Sequence, residues 1–164
     1  KGYQATQNKG DVEAGRTAAW DIKQERLGIL DEQTGLAEQT AELGYDIAQS
    51  EFTAGQKNIG MGANMALRRT QAFGNQAYSQ SNLATSGTIE SNIQMQTGDL
   101  WGKYRSDQQK ITESLQFAGK EKDLQLARAD ITEREKQGII EDSYQGTLTG
   151  LESIPTTVGE SLFG

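Results

Sequence analysis

The sequence predicts an all-α protein, a long antiparallel helical hairpin with coiled-coil-like seams that assembles into an oligomer. Three observations lead to this prediction. Only 34% of the 164 residues are hydrophobic, whereas compact domains are nearer half apolar, so the chain cannot fill a thick core. Proline occurs once, at Pro155, and apolar residues recur at helical spacings along most of the chain. A segment rich in turn-forming residues separates two such stretches.

The first long helix is predicted over residues 11–73, after a polar entry segment at residues 1–10. Side chains seven residues apart share a helix face, and two apolar series have this spacing: Ile22, Ile29, Leu36, Leu43, and then Tyr45, Phe52, Ile59, Ala66, Phe73. A third series passes from large to small side chains: Trp20, Leu27, Thr34, Ala41, Ala48, Gly55, Gly62. Together they form a broader apolar surface than one partner helix can cover, which predicts a homo-oligomer, a ring or a tube.

Glycine is frequent within this first helix. Each interior glycine costs a helix about 1 kcal/mol relative to alanine, so the helix needs packing that exploits close approach at the glycines. The weakest stretch is residues 55–64, which contains three glycines. A kink or break is expected there.

Residues 74–88 are predicted to reverse the chain. Ser, Thr, Asn and Gly cluster in this segment, and Thr85, Ser86 or Thr88 can cap the helix that follows. Gly87 can supply the left-handed backbone of a turn. We therefore expect Gly87 to have a positive φ or to lie immediately outside the helix cap.

The second long helix is predicted over residues 89–142, with an irregular tail at residues 143–164. Pairs four residues apart recur every eleven residues: Ile89 and Ile93, Leu100 and Tyr104, Ile111 and Leu115, Lys122 and Leu126. Eleven residues make three helical turns, so the seam formed by these pairs runs nearly straight. The seam should be more buried than the outward-pointing residues Gln94, Lys103, Gln109 and Lys110.

The chemistry available to the chain is limited, since it contains no cysteine and no histidine. These absences remove thiolate nucleophiles, the usual general base and the commonest transition-metal ligand. The carboxylates lie on faces predicted to be exposed, whereas a hydrolase needs a carboxyl group in a desolvating pocket. We therefore expect no enzymatic activity, no cofactor and no metal site.

The net charge of −7 at pH 7 argues against binding through phosphate neutralisation, so no sequence-specific nucleic-acid binding is expected. No apolar run approaches the roughly 20 residues of a membrane-spanning helix. The sequence thus favours a non-enzymatic protein that works by assembly.

Residues 65–97 (MALRRTQAFGNQAYSQSNLATSGTIESNIQMQT), followed by the segment YRSD at residues 104–107 and a charged helix, carry a family resemblance. This part of the chain resembles the smallest internal ejection protein of short-tailed bacteriophages. The resemblance implies a helical hairpin stored in the virion interior or tail and ejected to help form a channel for the genome. It also implies contacts with portal, tail or core proteins, and with the host cell envelope after ejection.

Two other kinds of protein fit the same composition. One is a tape-measure or tail-spacer component of a virion. The other is a cellular coiled-coil adaptor or secretion-apparatus protein that binds a partner helix. A ring protein should make subunit contacts along both helices, whereas an adaptor should offer one groove.

Overall fold

A computed structural model describes residues 2–80 and 83–155 of the chain. These residues form two α-helices, α1 (Gly2–Gln80) and α2 (Leu83–Glu152), and contain no strand. The helices pack together as a hairpin, so the predicted all-α class is confirmed for the described part of the chain. Neither helix contains a break.

Helix α1 begins earlier than predicted and continues through its glycines. Residues 2–10 are helical rather than an entry segment, because Ala5 and Val12 are buried within the same helical face. The break expected at residues 55–64 is absent. Gly55 and Gly62 lie opposite large side chains of α2, and this packing offsets their low helix propensity.

The predicted turn was placed too broadly. Residues 74–80 continue α1 and residues 83–88 belong to α2, so only residues 81–82 of the turn lie outside the described residues. Gly87 lies inside α2, and no glycine in the described ranges has a positive φ, so the turn role predicted for Gly87 is wrong. Ser86 is likewise helical and does not precede the helix as a cap. Helical backbone thus continues through Ser, Thr and Gly despite their weak helix propensities.

Helix α2 also extends ten residues beyond its predicted end at residue 142, to Glu152. Leu151 lies beside Gly15, so the end of α2 is held by packing on α1. The amide of Ile154 donates to the carbonyl of Leu151, and Pro155, which has no N–H, follows. The rest of the predicted tail, residues 156–164, lies outside the described residues.

The hairpin divides into two units. The terminal unit contains Lys1–Ala41 and Leu124–Gly164, and the central unit contains Glu42–Asp123. In each unit a segment of α1 packs against a segment of α2. Among the described residues of the terminal unit, the buried ones are mostly small and lie on α1: Ala5, Val12, Ala19, Leu30, Thr34 and Ala41. Among those of the central unit, Gly74 is buried.

Candidate functional site: the helix seams and outer faces

The eleven-residue series of α2 forms its inner face. All seven apolar members predicted for the seam are half-buried: Ile89, Ile93, Leu100, Tyr104, Ile111, Leu115 and Leu126. The four residues expected to point away are exposed: Gln94, Lys103, Gln109 and Lys110. The same spacing continues through half-buried Lys122, Glu133 and Tyr144, so α2 keeps one face turned inward over most of its length.

In the central unit, glycines of α1 receive large side chains of α2. A Cβ atom built on Gly55 would lie 3.5 Å from Ile111 Cγ2, and one on Gly62 would lie 3.2 Å from Tyr104 Oη. Seven residues forward along α1 thus correspond to seven residues backward along α2. The helices are therefore antiparallel, and the glycines of the third α1 series make room for the α2 seam.

Lys122 is the one charged member of the predicted α2 pairs, and Tyr45 accommodates it. The Lys122 ammonium lies 4.9 Å from the centre of the Tyr45 ring, a distance suited to a cation–π interaction. A Cβ atom on Gly119 would lie 3.6 Å from the same ring. An aromatic residue of α1 therefore fills the space beside Gly119 and stabilises a cation within the seam.

A polar and aromatic cluster joins the helices in the terminal unit. The Lys23 ammonium lies 2.5 Å from Glu141 Oε2 and 4.6 Å from the centre of the Tyr144 ring. Trp20 meets Tyr144 edge-on, with ring centres 6.0 Å apart. Hydrogen bonds from Lys23 and then Gln145 hold the pKa of Glu141 below its ordinary value of 4.5. Sequence reasoning missed this cluster, although Tyr144 stands at the eleven-residue spacing of the α2 seam.

The apolar residues predicted as the α1 interface separate into two groups. Phe52 and Ile59 are half-buried. The others point outward, with 47–63% of each residue exposed: Ile22, Ile29, Leu36, Leu43 and Phe73. Helix α2 packs on the small residues of the third series instead, because its own large side chains need that space. The outward residues leave about half of their surface or more open to another molecule, although Ile22 and Ile29 also border grooves between the helices.

Helix α2 also carries large apolar residues away from its seam. In the terminal unit Leu124, Ile131 and Ile139 are at least half exposed, and in the central unit Phe117 is 68% exposed. Phe117, Leu124 and Ile131 are seven residues apart and lie on the helix face opposite Ile111, by the helical repeat of about 3.6 residues per turn. Both helices therefore have an apolar outer face.

Other types of site are not evident in the described ranges. Residues 2–80 and 83–155 contain no group of three or more carboxylates placed to hold a metal ion. No helix in these ranges has a window apolar enough to cross a membrane. Comparison with protein-family models, curated proteins and solved structures found no match to the chain. The outer faces are therefore the best candidate functional surface.

Proposed function

We propose that this chain is a non-enzymatic structural protein of a bacteriophage virion, which assembles with further copies of itself and helps form a channel for genome delivery. The observation that carries the assembly role is the exposure of large apolar residues on the outer faces of both helices. Soluble monomers rarely expose extended apolar surface, and such surface is typical of protein–protein contacts.

The packing of the hairpin gives this proposal a physical basis. Small residues of α1 make the contact with α2, so the isoleucines and leucines of the first α1 series are left outside. Burying one such side chain fully contributes about 1.5–3 kcal/mol. Contact with neighbouring copies would supply the apolar burial that a two-helix hairpin cannot provide alone.

The place in a virion is supported by the resemblance of residues 65–97 to the smallest ejection protein of short-tailed phages. The hairpin agrees with the fold that this resemblance implies. The proposed location is the virion interior or tail, beside portal, tail or core proteins, and the host envelope after ejection.

A tape-measure or tail-spacer component is the second candidate, and its long helices would suit the same fold. A cellular adaptor is the third candidate. A helix-binding adaptor needs one apolar groove, whereas the exposed apolar residues here lie on both helices and favour several neighbours. We therefore place the adaptor below the virion proteins.

Sedimentation tests the assembly role. The wild-type chain should associate at micromolar concentration, and a variant carrying Ile29→Ser and Leu36→Ser should shift to smaller species. Both residues are about half exposed or more, so the variant should keep its helix content by circular dichroism. Gln24→Ser with Gln39→Ser, at exposed polar positions, is the matched control. A folded wild-type monomer at this concentration would refute the assembly role.

Mass spectrometry of purified phage particles tests the virion role. Peptides of this chain should be present in intact particles, at several copies per particle, and should be depleted from particles that have released their genome. Their presence in emptied particles at an unchanged level would favour a tail spacer. Their absence from intact particles would exclude both virion candidates.

A further inference from the structure

One side of the terminal unit is incompletely filled. Three grooves lie there between α1 and α2, with volumes of 480, 210 and 230 Å³. Each is several times the about 30 Å³ that a water molecule occupies in the liquid, so side chains from a neighbour can enter. We call this side, lined by Ile22, Arg26, Gln33, Arg128 and Lys136, the grooved face.

The grooved face is cationic, although the whole chain is acidic. The charged residues that line the three grooves are Lys23, Arg26, Arg128 and Lys136. Lys23 is paired with Glu141, but the other three have no ion-pair partner among the described residues. No carboxylate lines any of these grooves. The grooved face therefore combines apolar walls with three uncompensated cations.

The opposite side of the same unit is acidic. By the helical repeat, Glu13, Asp31 and Glu38 lie on the other side of the α1 seam from Arg26 and Gln33, and all three are exposed. Among the lysines and arginines of α1 within residues 10–41, Arg16 lies on this side, whereas Lys23 and Arg26 do not. On α2, the one arginine there, Arg134, is paired with Asp130 at 3.0 Å. We call the surface around Glu13, Asp31 and Glu38 the acidic face.

We propose that the grooved face of one copy binds the acidic face of a second copy. Lys136 stands at about the level of Asp31 along the terminal unit, since Leu151 lies beside Gly15 and the helices are antiparallel. Copies that run in the same direction therefore bring these opposite charges together. Gly28 and Gly35 also lie on the acidic face with no atom within 4 Å of an added Cβ, which keeps that face smooth.

The charge distribution selects the type of symmetry. A twofold contact uses the same surface on both copies, so it would place cations against cations or carboxylates against carboxylates. A heterologous contact joins the two different faces, and such contacts generate a ring when the rotation closes. The inference rests on the proposed self-assembly and specifies which surfaces carry it.

Charge exchange between copies tests the proposal. The first variant carries Arg26→Glu and Lys136→Glu, which make the grooved face acidic. The second carries Asp31→Lys and Glu38→Lys, which make the acidic face basic. All four positions are exposed, so each variant should retain the wild-type helix content. Lys57→Glu with Lys110→Glu, at exposed positions of the central unit, is the control for net charge.

Each variant alone should associate about tenfold more weakly than the wild type, since paired charges become like charges. An equimolar mixture of the two should regain wild-type association, because both kinds of contact between unlike copies are complementary again. The control should associate like the wild type. The measurement is sedimentation velocity at several concentrations and low salt.

The outcomes distinguish the contact between the two faces from self-assembly itself. If the wild type associates but the mixture stays as weak as either variant, the contact between the two faces is excluded while self-assembly stands. If neither variant associates more weakly than the wild type, the grooved and acidic faces do not form the contact, and the copies assemble through another surface. If the wild type itself does not associate, the proposed assembly role fails first.

Discussion

Gly74 and Ile93 offer a direct test of how the two helices fit in the central unit. Gly74 is buried, and a Cβ atom on it would lie 2.6 Å from Ile93 Cδ1. Gly74→Ala gains about 1 kcal/mol of helix propensity. It also forces Ile93 out of its rotamer, which costs about 0.5–1.5 kcal/mol. The two effects nearly cancel, so we expect almost no change in the free energy of unfolding.

A substitution at Ile93 reveals the clash that Gly74→Ala creates. Ile93→Val removes the Cδ1 atom and alone should cost about 0.5–1.5 kcal/mol. In Gly74→Ala with Ile93→Val, the new methyl group takes the place of Cδ1, so the propensity gain is retained without the clash. The double variant should be about 1 kcal/mol more stable than the wild type, and the coupling energy should be about 2 kcal/mol.

Urea unfolding, followed by far-ultraviolet circular dichroism, measures the free energy of unfolding of the wild type, the two single variants and the double variant. One fixed protein concentration is needed, because association stabilises the folded state by mass action. Gly28→Ala combined with Ile93→Val is the control, since no atom lies within 4 Å of a Cβ on Gly28 and the two changes should be additive. If the effects of Gly74→Ala and Ile93→Val are also additive, Ile93 does not pack on Gly74. The antiparallel register of the two helices would then be wrong.

Two further predictions concern the seam and the polar cluster. Ile111→Ala should lower the free energy of unfolding by about 2 kcal/mol, near the lower end for large-to-small changes because Ile111 is half-buried. Lys110→Ala, the exposed control, should change it by less than ~0.5 kcal/mol. Equal effects of the two substitutions would refute the α2 seam. Because the bond from Lys23 lowers the pKa of Glu141 in the folded state, this carboxylate stabilises the fold above pH 4.5 and loses that effect as the pH falls through its folded pKa. Urea unfolding at stepped pH should therefore show a smaller acid-induced loss of stability for Glu141→Gln than for the wild type.

The inner face of α2 could be predicted from the sequence because large apolar residues recur along it at a regular spacing. Ile89, Leu100 and Ile111 recur at one spacing, and each is half-buried. Large apolar residues are placed inward whenever the partner surface leaves room, so a repeat of large residues predicts the seam. The face of α1 that contacts this seam could not be predicted in the same way, since it is made mostly of small residues with low hydrophobicity.

The exposure of the α1 residues shows why hydrophobicity did not predict the face that contacts α2. Ile22 and Ile29 form the most apolar series of that helix, yet each is 48% exposed, while Ala41 is 2% exposed. The interior is close-packed, so a face that receives isoleucine and tyrosine from α2 must itself be small. Hydrophobicity identifies residues that avoid water, but shape complementarity decides which of them meet within one chain.

The reversal is shorter than predicted for a related reason. Ser, Thr and Gly at residues 74–88 have weak helix propensities, which predict a turn over the whole segment. Propensity differences are at most about 1 kcal/mol per residue, and contacts such as Gly74 with Ile93 outweigh them. The same argument explains the continuous helix at residues 55–64, where Gly62 leaves room for the Tyr104 ring.

These packing rules separate folding from assembly on α1. The seam uses Ala41, Gly55 and Gly62, and the outer face uses Ile29 and Leu36. Leu36 is 63% exposed, so its substitution should change association without unfolding the hairpin, whereas Ile29 also lines a groove beside Ile139 and Ile140 of α2. In a protein that is packed in a particle and must later take part in a channel, this division would let subunits exchange neighbours while each hairpin stays folded. The outward isoleucines are thus a consequence of the small residues that α1 presents to α2, and we propose that copies assemble through them.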